Sequence, residues 1–210
     1  MNTMNSSKKS IYPFFETLCV FNGEIQLPEL HQQRYQKTCR SYYGTPPSED
    51  LLDKLTIPLI FQQGHVKLKL WYNESSREAT FSFYPYLPLN SLQCMEAPAI
   101  NYALKYSDRS ALDALKKQKG TCDDVLILQH GMVRDTSYAN ICFWTGTRWL
   151  TPKTPLLAGT KRQHLLETGQ IHCAEITTDD FSGFTHFKLI NAMRNFTQDN
   201  PQPMRQILMP

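Results

Sequence analysis

The residues best placed to do chemistry lie in the second half of the chain. Leu156-Leu157-Ala158-Gly159-Thr160-Lys161-Arg162 reads as a glycine turn that opens into a helix. The first backbone N–H groups of a helix have no partner inside it and attract an anion, phosphate being the usual one. On its own such a turn is more often only a turn. Upstream, the run from Val133 to Ile141 carries a carboxylate at Asp135 and an amide at Asn140, and Leu150-Thr151-Pro152 follows a short hairpin later. The six cysteines are widely spaced, with no C-x-x-C pair, and Cys142 sits inside the apolar run Ile141-Cys142-Phe143-Trp144. Buried free thiols in a reducing cytoplasm are the simple reading, and no metal site is expected.

Taken in order, these pieces resemble the fold-type IV, or class IV, pyridoxal-phosphate (PLP)-dependent aminotransferases. That family includes branched-chain and D-amino-acid aminotransferases and aminodeoxychorismate lyase. Its pattern is a carboxylate, four residues, an asparagine, a Thr-Pro, then leucine, glycine and arginine at a helix start. Here these are Asp135, Asn140, Thr151-Pro152 and Leu157 to Arg162. Phe15-Glu16-Thr17 and His31-Gln32-Gln33-Arg34 match the family's first strand and its His-x-x-Arg helix, and the similarity runs from Phe14 to Phe196.

The resemblance implies a pyridoxal 5'-phosphate cofactor and a role for each matching residue. Lys105 is the expected covalent anchor and catalytic residue. It lies thirty residues before Asp135, at about the family's spacing and just ahead of a helix that Arg109 fits. Its amine could carry the substrate's Cα proton as base and then acid. The competing Lys116, Lys117 and Lys119, clustered before Gly120, read as a solvated helix end. Asp135 is expected to keep the pyridine nitrogen protonated, where the family normally has glutamate; one methylene less shortens the reach by roughly 1.5 Å. The phosphate is expected to meet Arg34, the backbone amides of Thr160 and Lys161, and Asn191-Ala192. Arg162 is expected to be structural and His31 a packing histidine.

Asn191-Ala192-Met193 resembles the Asn-Ala-Leu segment of aminodeoxychorismate lyases, where aminotransferases usually carry Gly-Thr or Ser-Thr. This implies a lyase that turns 4-amino-4-deoxychorismate into 4-aminobenzoate and pyruvate for folate biosynthesis. The alternatives are an aminotransferase of a small branched-chain or D-amino acid, or a degenerate PLP-binding protein without turnover. Arg77, in the segment Asn73-Glu74-Ser75-Ser76-Arg77, is the candidate anchor for a substrate carboxylate. A homodimer is implied too, because the family's sites lie near the subunit interface.

The elements that must position these residues can be read from periodicity and turn chemistry. Phe14 to Phe21 is a strand, Asn22-Gly23 a hairpin turn, and Glu24 to Leu27 its partner. Glu29 to Tyr43 has helical spacing and ends at Gly44. Ser48-Glu49-Asp50 can cap another helix running through Ile60. Val66 to Tyr72 and Ala79 to Tyr84 are strands. Pro85 to Pro98 shows neither period, and a domain boundary is placed near Leu89. Beyond it come a helix from Ser110 to Lys119, strands at Asp124–Gln129, Ile141–Thr145 and Trp149–Leu150, a helix from Lys161 to Gly169, and a strand from Phe187 to Asn191. The expected class is α+β, a two-domain fold like that of D-amino-acid aminotransferase. Residues 1–88 form a small N-terminal α/β domain, and residues 89–210 a larger, strand-rich pseudo-barrel that binds the cofactor.

Composition agrees with a globular enzyme of this size. The 210 residues are 41% hydrophobic and 20% charged, with a net charge of +3 and no basic block. Nucleic-acid binding draws no support from this, and no apolar run reaches the roughly 20 residues that cross a bilayer. Met1 to Ser10 reads as a frayed polar tail.

Overall fold

The computed structural model describes residues 6–209. They divide into two compact units, one running to Tyr86 and including Leu104–Asp108, the other made of Leu87–Ala103 and everything from Arg109 onward. The class is α+β.

In the first unit the chain opens with a short helix, α1 (Ser6–Ile11), where the sequence reads as a tail; Met1–Asn5 lie outside the described residues. The helix is tied down at its end. Lys9 Nζ lies 3.5 Å from Asp108, and Asn73 Nδ2 donates to the Ile11 carbonyl at 3.0 Å. Strand β1 (Phe14–Phe21) turns through Asn22 (φ 49°) and Gly23 (φ 83°) into β2 (Glu24–Ile25), the left-handed pair that a two-residue hairpin requires. Helix α2 (Pro28–Tyr43) starts with proline in its first turn, where no N–H is needed, and stops at Gly44 in the left-handed conformation. Strands β3 (His65–Tyr72) and β4 (Arg77–Phe83) complete an antiparallel sheet of order β2-β1-β3-β4. Side chains alternate across it. Phe14, Leu18 and Val20 of β1, with Val66, Leu68, Leu70 and Tyr72 of β3, pack against Tyr35 and Cys39 of α2.

The helix expected from Ser48 to Ile60 does not form. Lys54 adopts φ 61°, and Pro58 has no N–H and forces the residue before it out of the helical region. A turn and a 3-10 segment at Leu59–Phe61 replace it.

The second unit holds two sheets around one core. The stretch Pro85–Pro98, expected to be irregular, contains β5 (Leu92–Glu96), whose Leu92 and Cys94 point into that core. Helix α3 (Ser110–Lys116) crosses over to β6 (Asp124–Gln129), parallel to β5, and His130-Gly131 turns the chain back into β7 (Met132–Thr136). Strands β8 (Asn140–Trp144) and β9 (Trp149–Pro152) form a hairpin. Helix α4 (Thr160–Glu167) then crosses to β10 (His172–Ala174), and β11 (His186–Ile190) returns to pair with β8. With β12 (Gln202–Pro203) and β13 (Ile207–Leu208), the sheet orders are β13-β5-β6-β7 and β10-β9-β8-β11-β12. Leu126, Val133, Ile141, Phe143, Phe187 and Leu189 pack between the two sheets.

Candidate functional site

In the first unit the chemistry starts from one residue out of place. The core-facing positions of β1 are Phe14, Glu16, Leu18 and Val20, all fully buried. A carboxylate there must be paired or it would not stay charged. Helix α2 supplies the partners from His31 and Arg34, which lie three apart and so share a face. Arg34 Nε donates to Glu16 Oε1 at 2.8 Å and Nη2 to Oε2 at 2.5 Å; His31 Nδ1 donates to Oε2 at 2.7 Å. Burial pushes the Glu16 carboxyl up, but the Arg34 charge and the hydrogen bonds from both partners outweigh it and hold it down at about 2. Burial pushes His31 the other way, toward the neutral ring, against the raising effect of the Glu16 hydrogen bond and charge, and the charges of Arg34 and Lys105 add to the lowering. The result is a guanidinium fixed in plane by two bonds to a buried carboxylate.

Lys105 belongs to the same unit. Its segment runs along the edge of β1 not taken by β3: Phe15 N–H donates to the Lys105 carbonyl at 3.2 Å, Tyr106 bridges Phe14, and Ser107 N–H donates to the Pro13 carbonyl at 2.7 Å. Three backbone contacts in a row fix where this lysine leaves the chain. Its Nζ lies 4.7 Å from the centre of the Phe15 ring. Lys69 of β3 stands over the same ring, at 4.2 Å.

In the second unit, Asp135, Asn140 and the Gly159 turn come together. Asn140 Nδ2 donates to Asp135 Oδ1 at 2.7 Å and to the Leu157 carbonyl at 2.8 Å, and Leu157 N–H donates to Asp135 Oδ2 at 2.9 Å. Asp135 is buried. Burial raises its carboxyl to about 6, against the lowering effects of these hydrogen bonds and of the Arg162 charge. A methyl group on Gly159 would overlap Asn140 Oδ1, so only glycine lets the turn close over the amide. Thr160 and Lys161 then occupy the first two positions of α4, with no side chain bonding its N-terminus from Gly159. Ile190 pairs with Asn140, which brings the Asn191-Ala192 turn to the same end of β8; Asn191 Oδ1 accepts from Met193 N–H at 2.9 Å and holds that turn.

The expected site residues thus fall into two sets: Arg34 and Lys105 in one unit; Asp135, Thr160, Lys161, Asn191 and Ala192 in the other. Arg162 is buried and spends its guanidinium on the Pro152 carbonyl (2.7 Å), Thr151 Oγ1 (3.3 Å) and Cys173 Sγ (3.3 Å). Arg77 is held by Glu49 at 2.5 Å and the Asp50 carbonyl at 2.7 Å, lining a cavity of about 390 Å³ with Tyr35, Leu51 and Leu70, on the α2 side of the sheet. The lysine cluster is not simply solvated. Lys116 Nζ lies 3.6 Å from the fully buried Asp124, and Lys119 donates to the Cys122 carbonyl, leaving Lys117 as the exposed member. Two residues escaped notice as site members: Glu16, whose signal was a charge at a core position, and Asn140, matched in the motif without being given a role.

The family model "Amino-transferase class IV" matches residues 13–198. An uncharacterized protein of Haemophilus influenzae is 38% identical over 185 residues, covering 87% of this chain and 98% of the relative. A Schizosaccharomyces pombe protein described as "Putative aminodeoxychorismate lyase" is 27% identical, over 75% of this chain and 74% of its own. Among solved structures, a "putative 4-amino-4-deoxychorismate lyase" of Haemophilus somnus 129PT superposes with a TM-score of 0.78 at 31% identity, covering 88% of this chain and 98% of that one.

Proposed function

The chain belongs to the class IV aminotransferases, a family of pyridoxal-phosphate-dependent enzymes acting on small molecules, and on that premise we propose that it is a lyase converting 4-amino-4-deoxychorismate to 4-aminobenzoate and pyruvate, a step of folate biosynthesis. The observation that carries the substrate reading is the Asn191-Ala192-Met193 turn, held by its own Asx bond beside Asn140. Two relatives described as putative lyases of this kind agree with it.

The residues present suit the cofactor. Asp135 is a buried carboxylate whose hydrogen-bond donors are all neutral, a setting in which a cationic ring N–H is the stabilising addition. The N-terminus of α4 follows a glycine that leaves no room for a side chain. Both features support the assigned roles. Thr160 and Lys161 would bind phosphate through backbone N–H groups together with Asn191-Ala192, and Arg34 is assigned to the phosphate as well. Lys105 would be the covalent anchor.

Bound there, the cofactor supplies an aldehyde for the substrate amine and a ring that takes up the electrons of the broken Cα–H bond. Lys105 removes that proton and returns one to the departing enolpyruvyl group, which leaves as pyruvate. Asp135 keeps a proton on the ring nitrogen. Glu16, itself held by His31, holds Arg34 in its plane. We place the enzyme in the cytoplasm, in keeping with six free cysteines, five of them buried, and as a homodimer.

The test is borohydride reduction of the protein loaded with pyridoxal phosphate, followed by peptide mass analysis and an assay for 4-aminobenzoate. A stable adduct on Lys105 and equal amounts of 4-aminobenzoate and pyruvate are expected. An adduct elsewhere overturns the assignment of Lys105. An adduct on Lys105 with conversion of the cofactor to its amine form by small amino acids, and no 4-aminobenzoate, makes the enzyme an aminotransferase; an adduct with neither makes it a cofactor-binding protein without turnover.

A further inference from the structure

Lys188 stands where an apolar residue would be expected. In β11 the side chains of Phe187 and Leu189 enter the core between the two sheets, so Lys188 lies on the opposite face. That face is apolar: Cys142, the cross-strand neighbour of Lys188, packs there with Leu165, Ile171 and Ile190, and Trp149 and Phe196 lie against them. A lysine in such a place usually runs its stem over the apolar groups and puts its ammonium in water. This one is half-buried and bonds within the chain. Lys188 Nζ donates to the Phe196 carbonyl at 2.8 Å, and it sits 4.9 Å from the centre of the Phe196 ring and 5.4 Å from that of Trp149. The two rings meet edge to face at 5.8 Å, so a carbonyl and two aromatic rings hold the ammonium.

The bond spans eight residues and closes a loop that contains Asn191-Ala192-Met193. The entry of the loop is fixed where Ile190 pairs with Asn140. Its exit lies outside any strand, since β12 begins only at Gln202. Arg194 ties the middle, to Asp199 at 3.1 Å and to the Leu87 carbonyl at 3.1 Å. Lys188 ties the exit back to the strand that the loop has left.

We propose that Lys188 is a positioning residue that clamps the exit of the Asn191-Ala192-Met193 loop through the Phe196 carbonyl and so sets the turn for the cofactor phosphate. The proposal rests on the assignment of Asn191-Ala192 to that phosphate. A turn recognises phosphate well only when its groups are already in place, because a loose loop must give up its freedom on binding. A charge-assisted hydrogen bond with two ring contacts is enough to shift such an equilibrium about tenfold.

Two measurements on the full chain test it. Amide hydrogen exchange of the cofactor-free protein reads the clamp itself. Met193 N–H, which donates to Asn191 Oδ1 at 2.9 Å, is expected to exchange roughly tenfold faster in Lys188→Met. Equilibrium dialysis with pyridoxal phosphate and with pyridoxal reads the consequence. Lys188→Met is expected to bind pyridoxal phosphate about tenfold more weakly and pyridoxal equally well, because pyridoxal has no phosphate to meet the turn. Lys188→Arg, which keeps a cationic donor, is expected to stay within about threefold of the original chain for both ligands. Phe196→Leu keeps the carbonyl and removes one ring. It is expected to lose about twofold to fivefold with pyridoxal phosphate alone, and it carries the test if Lys188→Met does not fold. Unchanged exchange at Met193, equal weakening of both ligands in Lys188→Met, or an Arg variant as weak as the Met variant overturns the proposal. If the original chain binds the two ligands alike, the phosphate assignment fails and the proposal with it. If the original chain prefers pyridoxal phosphate and Lys188→Met keeps that preference in full, the clamp alone fails.

Discussion

Replacing Glu16 with glutamine tests the arrangement that fixes Arg34. The carboxyl is held at about 2 where the ordinary value is 4.5, a difference worth about 3 kcal/mol of folding stability at neutral pH. Its side chain is fully buried, so solvent screening does not reduce this figure. Glutamine can accept from Arg34 or His31 through its oxygen, but its NH2 group then faces a second donor. The part-buried guanidinium loses its counter-charge as well; removing one partner of a fully buried pair costs about 3–5 kcal/mol, an upper bound here. Glu16→Gln is therefore expected to destabilise the first unit by about 3 kcal/mol at pH 7. The pH dependence follows from the depressed carboxyl. Its stabilisation is fully present above 4.5, where the unfolded chain is also ionised, and is lost as pH falls toward the folded value near 2. The gap between the original chain and the variant should hold from pH 7 to 5 and close below pH 4. Urea unfolding followed by Trp71 fluorescence, with Trp144 and Trp149 replaced by Phe in both proteins, measures the unit that contains Glu16. A cost under about 1 kcal/mol at pH 7, or a gap that stays constant down to pH 2.5, would refute the argument.

Two further outcomes concern the other unit. Gly159→Ala must displace the Asn140 amide from both Asp135 and the Leu157 carbonyl, at a cost of about 2–4 kcal/mol by denaturant titration; a change below 1 kcal/mol would mean the turn yields more easily than its packing implies. Asp135 is raised to about 6 from 3.8. In the cofactor-free chain its ionisation therefore costs stability as pH rises from about 4 through 6, up to about 3 kcal/mol in all. Thermal melts of Asp135→Asn should gain on the original chain over that pH window, and pyridoxal phosphate should cancel the gain. A gap that is flat with pH would count against a raised carboxyl.

Much of the scaffold was legible because local rules and tertiary packing agree. Asn22-Gly23 and Gly44 forced left-handed turns, and the alternation in Val66 to Tyr72 marked a one-faced strand. Where the sequence misled, a local signal competed with a longer-range one. Ser48-Glu49-Asp50 looks like a helix cap, yet Lys54 and Pro58 break the helix and Leu51 is buried as a single residue. The prolines around Leu92-Gln93-Cys94 hid an alternating strand that only its pairing with β6 and β13 makes visible. In the site, order along the chain singled out Asp135 and the Gly159 turn. Glu16 was matched in the first strand but given no role, because a carboxylate in an apolar strand is informative only once the cation that meets it is known.

Glu16 and Asp135 show how one physical effect is put to opposite uses. Burial raises both carboxyls. At Glu16 the chain supplies its own cation, in bidentate contact at 2.8 and 2.5 Å, and the group falls to about 2 and stays charged whatever binds. At Asp135 the chain supplies only the neutral donors Asn140 and Leu157 at close range, while Arg162 is turned to the Pro152 carbonyl, and the carboxyl remains near 6. A carboxylate stabilised by its own protein has nothing to gain from a ligand. One left raised gains from any cation that arrives, by up to the same few kcal/mol that its burial costs. Glu16 therefore suits a permanent positioning role, and Asp135 suits the recognition of a protonated ring nitrogen. Asn140 and the Leu157 N–H fix where its oxygens lie.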